Sequence, residues 1–357
     1  MEAADYIAGE FRRYGYSTEK QPFDFEAYRA RSAALEVLAP AASTEPARPL
    51  EYSPGGEATG RLVPAGIGRP EEFPRGGVGG QIALVERGTL TFGEKVTNAK
   101  AAGAAAIVVY NNASNAGGEL SGWTLPSIGA IPALAVSRET GLRLLQQAQG
   151  TSSQVRVSVD ARYRKIDSNN VVARGGSNCR VVVGGHYDSV AEGPGANDNA
   201  SGTAVVIELA RSLRHRAARD GLCFVAFGAE ELGLWGSLRF VEGLSEEQRR
   251  EMAGMINLDM VGVGQRWQLS GSETLRASSL AAADDAGMGV GSYGSEDRRG
   301  GSDHASFIRA GIPALFIHRL DDPNYHTADD KVEFVDPEAL ETAGHTAIAV
   351  IDRLLSR

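Results

Sequence analysis

Glu230 and Glu231 stand side by side in the run Phe-Gly-Ala-Glu-Glu-Leu-Gly-Leu-Trp-Gly (227–236). They follow an apolar stretch, 222–227, that reads as a buried strand. Two adjacent carboxylates in a partly desolvated place repel and raise each other's pKa unless a cation sits between them. Similar groups recur where other apolar stretches stop. The stretch 181–185 runs into Gly-Gly-His-Tyr-Asp-Ser (184–189), which presents His186 and Asp188. Asp198 follows in a loop of Gly, Pro, Ala and Asn, and 255–258 stops at Asp259. After 314–317 comes a loop with Asn-Tyr-His-Thr (324–327), which carries Tyr325 and His326. Gathered along one sheet edge, these five carboxylates would repel by about 4 kcal/mol per close pair at an effective dielectric of roughly 20. Two divalent cations would turn that repulsion into attraction. Mixed imidazole and carboxylate ligation suits zinc best, with manganese or cobalt as alternatives. A two-metal site, its ions about 3.5–4 Å apart, needs a bridging carboxylate, flanking ligands and one carboxylate base left over. The chain has no His-Glu-x-x-His helix of the single-zinc type.

The elements that must position these groups follow from the pattern. From about residue 155 onward the chain reads strand, loop, helix, repeated, with helices at 200–216, 232–243 and 336–356. The last of these spaces Leu340, Ala347, Ile351 and Leu354 on one face. This alternation predicts an α/β fold, a three-layer sheet between helices, and such sheets build their sites at the C-terminal strand ends. Residues 3–14 predict a helix with Ile7, Phe11 and Tyr14 together, 21–38 reads as extended, and 39–46 is linker-like. From there to about 155 the texture changes to short apolar runs (82–85, 107–110, 133–136) between Gly- and Pro-rich turns, with an alanine-rich helix near 92–102. The N-terminal helix cannot easily stand alone and should pack on the later part. The expectation is a discontinuous catalytic domain, 1–40 plus 156–357, interrupted by a β-rich domain at 41–155.

The bulk numbers exclude some classes. A chain of 357 residues with 42% hydrophobic and 23% charged residues can bury a large core and has the composition of a soluble globular enzyme. The net charge of −9 disfavours nucleic acid and anionic membranes as partners. No apolar run approaches the roughly 18 residues of a membrane helix. The first residues lack the features of a signal peptide, so the expectation is a cytoplasmic protein or one whose leader is absent from this chain. Of two cysteines, Cys179 and Cys223, the second lies in a predicted core strand and reads as a small buried hydrophobe; whether they pair is open.

The ordered runs resemble the co-catalytic dizinc aminopeptidase family of the zinc exopeptidase clan, the bacterial leucine-aminopeptidase type. The matching runs are Gly-His-Tyr-Asp-Ser (185–189), Gly-Ala-Asn-Asp-Asn-Ala-Ser-Gly (195–202), Glu-Glu-Leu-Gly-Leu-Trp-Gly-Ser (230–237), Asn-Leu-Asp-Met (257–260), Ser-Asp-His-Ala-Ser-Phe (302–307) and Tyr-His-Thr (325–327). The inserted segment resembles a protease-associated domain through Ile82–Phe92, Lys95, Ala-Gly-Ala at 102–104 and Ile-Val-Val-Tyr-Asn-Asn at 107–112. Relatives often carry Cys where this chain has Leu90, so a disulfide common there is absent.

The resemblance implies two zinc ions, one on His186 and Asp259 and the other on Glu231 and His326, with Asp198 bridging. It implies Glu230 as general base acting on a bridging water, and Asp188 as the carboxylate that orients His186. It further implies Tyr325 as donor to the developing oxyanion, and a cis peptide between Asp198 and Asn199. The implied activity is release of N-terminal residues from peptides by a secreted or extracytoplasmic protein, expected as a monomer. A dizinc carboxypeptidase shares the metal core, and a glutaminyl-cyclase-like acyltransferase shares the fold with one zinc. Retention of His186, Asp188 and Glu231 together favours two metals over one. Taken singly, Glu230-Glu231 would suit a helix N-terminus and Asp198 a helix cap. Ser302 reads as the N-cap of a helix ending near Gly311, with His304 packing or lining a side-chain pocket. His215, His318 and His345 read as structural or surface residues, and Tyr187 and Trp235 as packing. Residues 261–301 are expected to line the substrate pocket, with Arg298 or Arg299 as candidates to meet a substrate carboxylate.

Overall fold

The computed structural model describes residues 2–112, 123–125, 128–150, 153–289 and 301–356. The chain divides into two units, Met1–Phe25 with Ile166–Arg357, and Glu26–Lys165. The sequence reading put the junctions at 40/41 and 155/156. Here they fall inside the long strands Ser17–Ala39 and Gln154–Arg174. A continuous strand has no break in composition at its middle to mark such a junction.

In the first unit, strands β1 (Val181–His186), β2 (Leu222–Phe227), β3 (Gly254–Leu258), β4 (Arg266–Gly271) and β5 (Ala314–Leu320) form one sheet in the order β4-β5-β3-β1-β2. The β1, β2, β3 and β5 pairings are parallel, and β4 closes the edge antiparallel to β5. Residues along β1 and β2 alternate between two cores. Val181, Val183, Leu222 and Phe224 face one, and Val182, Cys223, Val225 and Phe227 the other. That period of two, with every position buried, is the signature of a strand covered on both faces. Helices Glu2–Arg13, Gly202–Leu213, Glu273–Asp285 and Pro337–Leu355 contribute to the first core, and Trp235–Glu242 and His304–Arg309 to the second. The N-terminal helix buries Ala4, Ile7, Ala8 and Phe11, and Phe11 lies 6.3 Å from Phe224, so it packs on the later part of the chain as expected.

Cys179 and Cys223 form a disulfide. Cys223 is fully buried, as its strand position required, but it is not a free thiol. The pairing depends on a Cα separation of 5.2 Å, which spacing in sequence does not reveal.

The second unit has its own sheet. Gly56–Pro64, Ile82–Glu86, Ala106–Tyr110 and Ala133–Val136 pair in parallel, with Ala47–Pro49 antiparallel at one side. Helices Phe92–Ala101 and Arg138–Gly150 accompany it. Thr91 and Glu94 form a reciprocal cap at the start of the first. Lys95 is buried, its ammonium donating to the backbone carbonyls of Ile67 and Glu86. No helix among the described residues is long and apolar enough to cross a membrane.

Candidate metal centre

Strand β1 can deliver His186 only because Gly184 and Gly185 have no side chains. A Cβ on Gly185 would sit 2.5 Å from the Leu258 carbonyl oxygen, and one on Gly184 2.6 Å from the Phe227 ring. The next turn, 196–201, carries Asp198 and contains a cis peptide between Asp198 and Asn199. Asn199 ties this turn to the end of β3. Its Nδ2 donates to the Leu258 carbonyl at 2.9 Å, and its Oδ1 accepts from the amides of Gly202 at 2.9 Å and Met260 at 3.2 Å. Asn197 accepts from the amides of Gly262 and Val263, at 2.9 and 3.0 Å. Asp330 completes the clamp by accepting from the amides of Asn197 at 2.7 Å and Asp198 at 3.0 Å. Three side chains absent from the sequence-based site thus set the position of Asp198. Two of them, Asn197 and Asn199, flank it directly.

The convergence of the expected ligands is complete. His186 Nε2 lies 3.2 Å from Asp198 Oδ1 and 3.4 Å from Asp259 Oδ1. His326 Nε2 lies 3.1 Å from Asp198 Oδ2 and 3.1 Å from Glu231 Oε2. Each oxygen of Asp198 therefore faces one imidazole, the arrangement a bridging ligand needs. The Nε2 atoms of His186 and His326, with Asp259 Oδ1 and Glu231 Oε1, are buried without a hydrogen-bond partner. His186 Nδ1 is 3.0 Å from the Asp188 carbonyl, which can only accept, so Nδ1 donates there and Nε2 is the nitrogen turned to the carboxylates. Anions crowded around that nitrogen call for a cation between them. The donor set fits two zinc-like ions.

Glu230 lies 3.9 Å from His186, farther than Asp198 and Asp259. Ala229 has φ 57°, and the helix that follows starts only at Trp235, so the Glu230-Glu231 pair occupies a turn, not a helix N-terminus. The Asp188 carboxylate accepts from the backbone amides of Glu230 at 3.0 Å and Glu231 at 3.3 Å. It lies 3.7 Å from His186 Nδ1, which bonds instead to the Asp188 main chain. The side chain of Asp188 thus fixes the acidic turn, and its carbonyl orients the imidazole.

Burial pushes Glu230 well up, reinforced by Asp259, Asp303 and Glu231 and opposed by His186. Glu231 is pushed up to about 8 by burial and by Asp198. Burial also drives Asp303, wholly enclosed behind the cluster, up to about 7 against the pull of His186. Burial would lower His186, but Glu230, Asp259, Asp188 and Asp198 together outweigh it and raise the imidazole well above its usual value. Asp259 is held low, His186 and Ser302 outweighing its burial. This pattern is that of an anion cluster in need of cations.

One reading of the Ser302 segment changes. Ser302 does not cap a helix; the helix His304–Arg309 starts after Asp303. The Ser302 hydroxyl donates to Asp259 Oδ2 at 2.6 Å and accepts from Asn257 at 2.7 Å. His304 stacks on Phe316 at 4.6 Å. His318, read as structural or surface, donates from Nδ1 to the Asp259 carbonyl at 3.0 Å and lines the cavity beside the cluster. That cavity, of about 480 Å³, also meets Asp198, Glu230, Glu231, Met260, Gln268, Ser270 and Tyr325. Tyr325 is 51% exposed at its rim, its ring stacked on His326 at 3.8 Å. Tyr187 donates to the Asn169 carbonyl and Trp235 stacks on Phe25, both as packing. Arg298 and Arg299 lie outside the described residues.

The profile of peptidase family M28 matches residues 170–351 and that of the PA domain residues 58–144. Aminopeptidase YwaD of Bacillus subtilis is 36% identical over 82% of this chain and 66% of its own length. An aminopeptidase of Pseudomonas aeruginosa is 33% identical over 73% of this chain and 52% of its own. The chain thus spans about half to two thirds of these curated relatives. A probable lipoprotein aminopeptidase, LpqL of Mycobacterium tuberculosis, is 30% identical over 96% of this chain and 76% of its own. Among solved structures, an aminopeptidase from Aneurinibacillus sp. strain AM-1 superposes with a TM-score of 0.82 and 31% identity, over 98% of this chain and 88% of that one. A zinc aminopeptidase from Bacillus subtilis gives 0.63 and 31%, over 99% and 88%. Since the M28 match runs through every group of the cluster and the PA match falls wholly within the second unit, the chain belongs to peptidase family M28 and carries a PA domain inside its sequence.

Proposed function

We propose that the protein is a dizinc aminopeptidase that removes residues from the N-termini of peptides. The observation that carries this is the charge left over at the site. Asp188, Asp198, Glu230, Glu231, Asp259 and Asp303 outnumber the charge of two divalent ions, so the loaded site stays negative and favours a substrate ammonium over a carboxylate. The arginine that lines the cavity, Arg319, is engaged by Asp336 at 3.0 Å, which leaves no free cation among the described lining residues for a C-terminal carboxylate. The names of the relatives point the same way.

His186 and Asp259 would hold one ion, Glu231 and His326 the other, and Asp198 both. When bound, zinc supplies Lewis acidity at a carbonyl oxygen and makes water acidic enough to ionise near neutral pH. Glu230, raised by its surroundings, takes the proton of the attacking water and returns it to the leaving amine. Asp188 keeps Glu230 in place through the backbone. Burial and the carboxylates around Tyr325 push its phenol up, so it stays protonated and can donate to an oxyanion. The disulfide favours an oxidising, extracytoplasmic setting.

The test compares aminoacyl-4-nitroanilides with their N-acetyl forms, using protein loaded with zinc. Free amines should react at least about a hundredfold faster, because the site is built around a charge that acetylation removes. Equal rates on blocked substrates, or release from C-termini, would overturn the assignment.

A further inference from the structure

Opposite the carboxylates the cavity has a second wall. Strands β4 and β5 pair antiparallel with Gln268 opposite His318 and Ser270 opposite Phe316. Directly opposed residues share a face, so these four side chains form one patch, and all four line the cavity with Met260 and Leu320. The Phe316 ring is set by His304, which lies nearly flat against it at 19°.

The hydrogen-bonding state of this wall is specific. His318 donates from Nδ1 to the Asp259 carbonyl, which leaves Nε2 as its second polar atom. Ser270 is 5% exposed, yet neither its hydroxyl nor the Gln268 amide makes a hydrogen bond among the described residues. At the rim stand Asp321, paired with Arg266, and Asp322, which accepts from Asn197 at 2.7 Å. Gln268 and Ser270 can donate or accept, and among the described residues the nearby formal charge beyond the paired Arg266 and Arg319 is that of Asp321 and Asp322. The patch thus offers an aromatic surface for a hydrocarbon stem and acceptors for a donating head.

We propose that this wall binds the side chain of the substrate's first residue and selects lysine and arginine. The inference rests on the aminopeptidase reading and adds a substrate class to it. Long basic side chains lay an apolar stem along Phe316 and bring donors to Gln268, Ser270 and the rim carboxylates. Leucine would bury Gln268 and Ser270 without partners, the situation in which a polar site rejects an apolar analogue. Glutamate would meet acceptors and the two rim carboxylates.

The experiment measures kcat/KM of the zinc-loaded enzyme on lysyl-, arginyl-, leucyl- and glutamyl-4-nitroanilide. Lysyl and arginyl substrates should exceed leucyl by about tenfold or more, with glutamyl slowest. Gln268→Leu combined with Ser270→Val should lower the lysyl-to-leucyl ratio by about tenfold at unchanged zinc content. The wild-type ratio is decisive even where the double variant fails to fold. Leucyl release equal to or faster than lysyl release, or a variant with an unchanged ratio, overturns the pocket assignment and leaves the aminopeptidase reading standing. Release from none of the four overturns both.

Discussion

Glu230→Gln lowers kcat by about 10²–10⁴-fold while zinc content stays at the wild-type level. The substitution keeps size and removes only the ability to take a proton. Glu230 is the more distant of the carboxylates around His186, so the closer oxygens of Asp198 and Asp259 remain to hold an ion. The Asp188 contacts run to backbone amides and are untouched. KM should move little, since the lost contribution belongs to the transition state. Steady-state kinetics with metal analysis check it. Retained turnover would assign the base elsewhere, and loss of zinc would make Glu230 a ligand.

The second large effect appears on metal removal. Without cations Glu231 titrates near 8 and Asp303 near 7, whereas in the unfolded chain both titrate near 4. Between about pH 4.5 and 8 the folded metal-free protein holds protons that the unfolded chain has released. By linkage its stability then falls as pH rises through that window. His186, also raised when folded, acts in the same direction above its unfolded pKa, while Asp259, held low, matters only in more acidic solution. The Tm of chelated protein should therefore drop by about 5 °C or more between pH 5 and pH 8. The zinc-loaded protein should change much less, because the cations compensate the carboxylates. Calorimetry at the two pH values decides it; a chelated Tm that is flat or rises with pH contradicts the cation requirement.

How much of this was legible depended on where each group sits. His186, Asp259 and the Glu230-Glu231 pair follow strands that are apolar on both faces, so the sequence itself marks where the site edge lies. Asp198 and His326 are far apart in the chain and were placed by the ordered runs around them; the fold brings them to 3.1 Å. Groups that act through hydrogen bonds were harder. Ser302 precedes a helix and has the chemistry of a cap, yet its hydroxyl turns to Asp259, because the helix starts one residue later than a cap at Ser302 would require. Asp330 sits in a polar loop whose composition resembles any exposed turn, and only the folded chain brings it under the Asp198 backbone. Strand β4 mixes Arg, Trp, Gln and Ser because it is an edge, so periodicity did not announce it. With β4 unseen, His318 had no visible neighbour to suggest a role in the cavity.

The count of bound metal ions tests the central claim most directly. Dialysed wild-type protein analysed by inductively coupled plasma mass spectrometry should carry two zinc ions per chain, and Asp198→Ala, which removes both bridging oxygens, should carry fewer than one. One ion or none in the wild type, or two retained in Asp198→Ala, would contradict a paired site organised on Asp198.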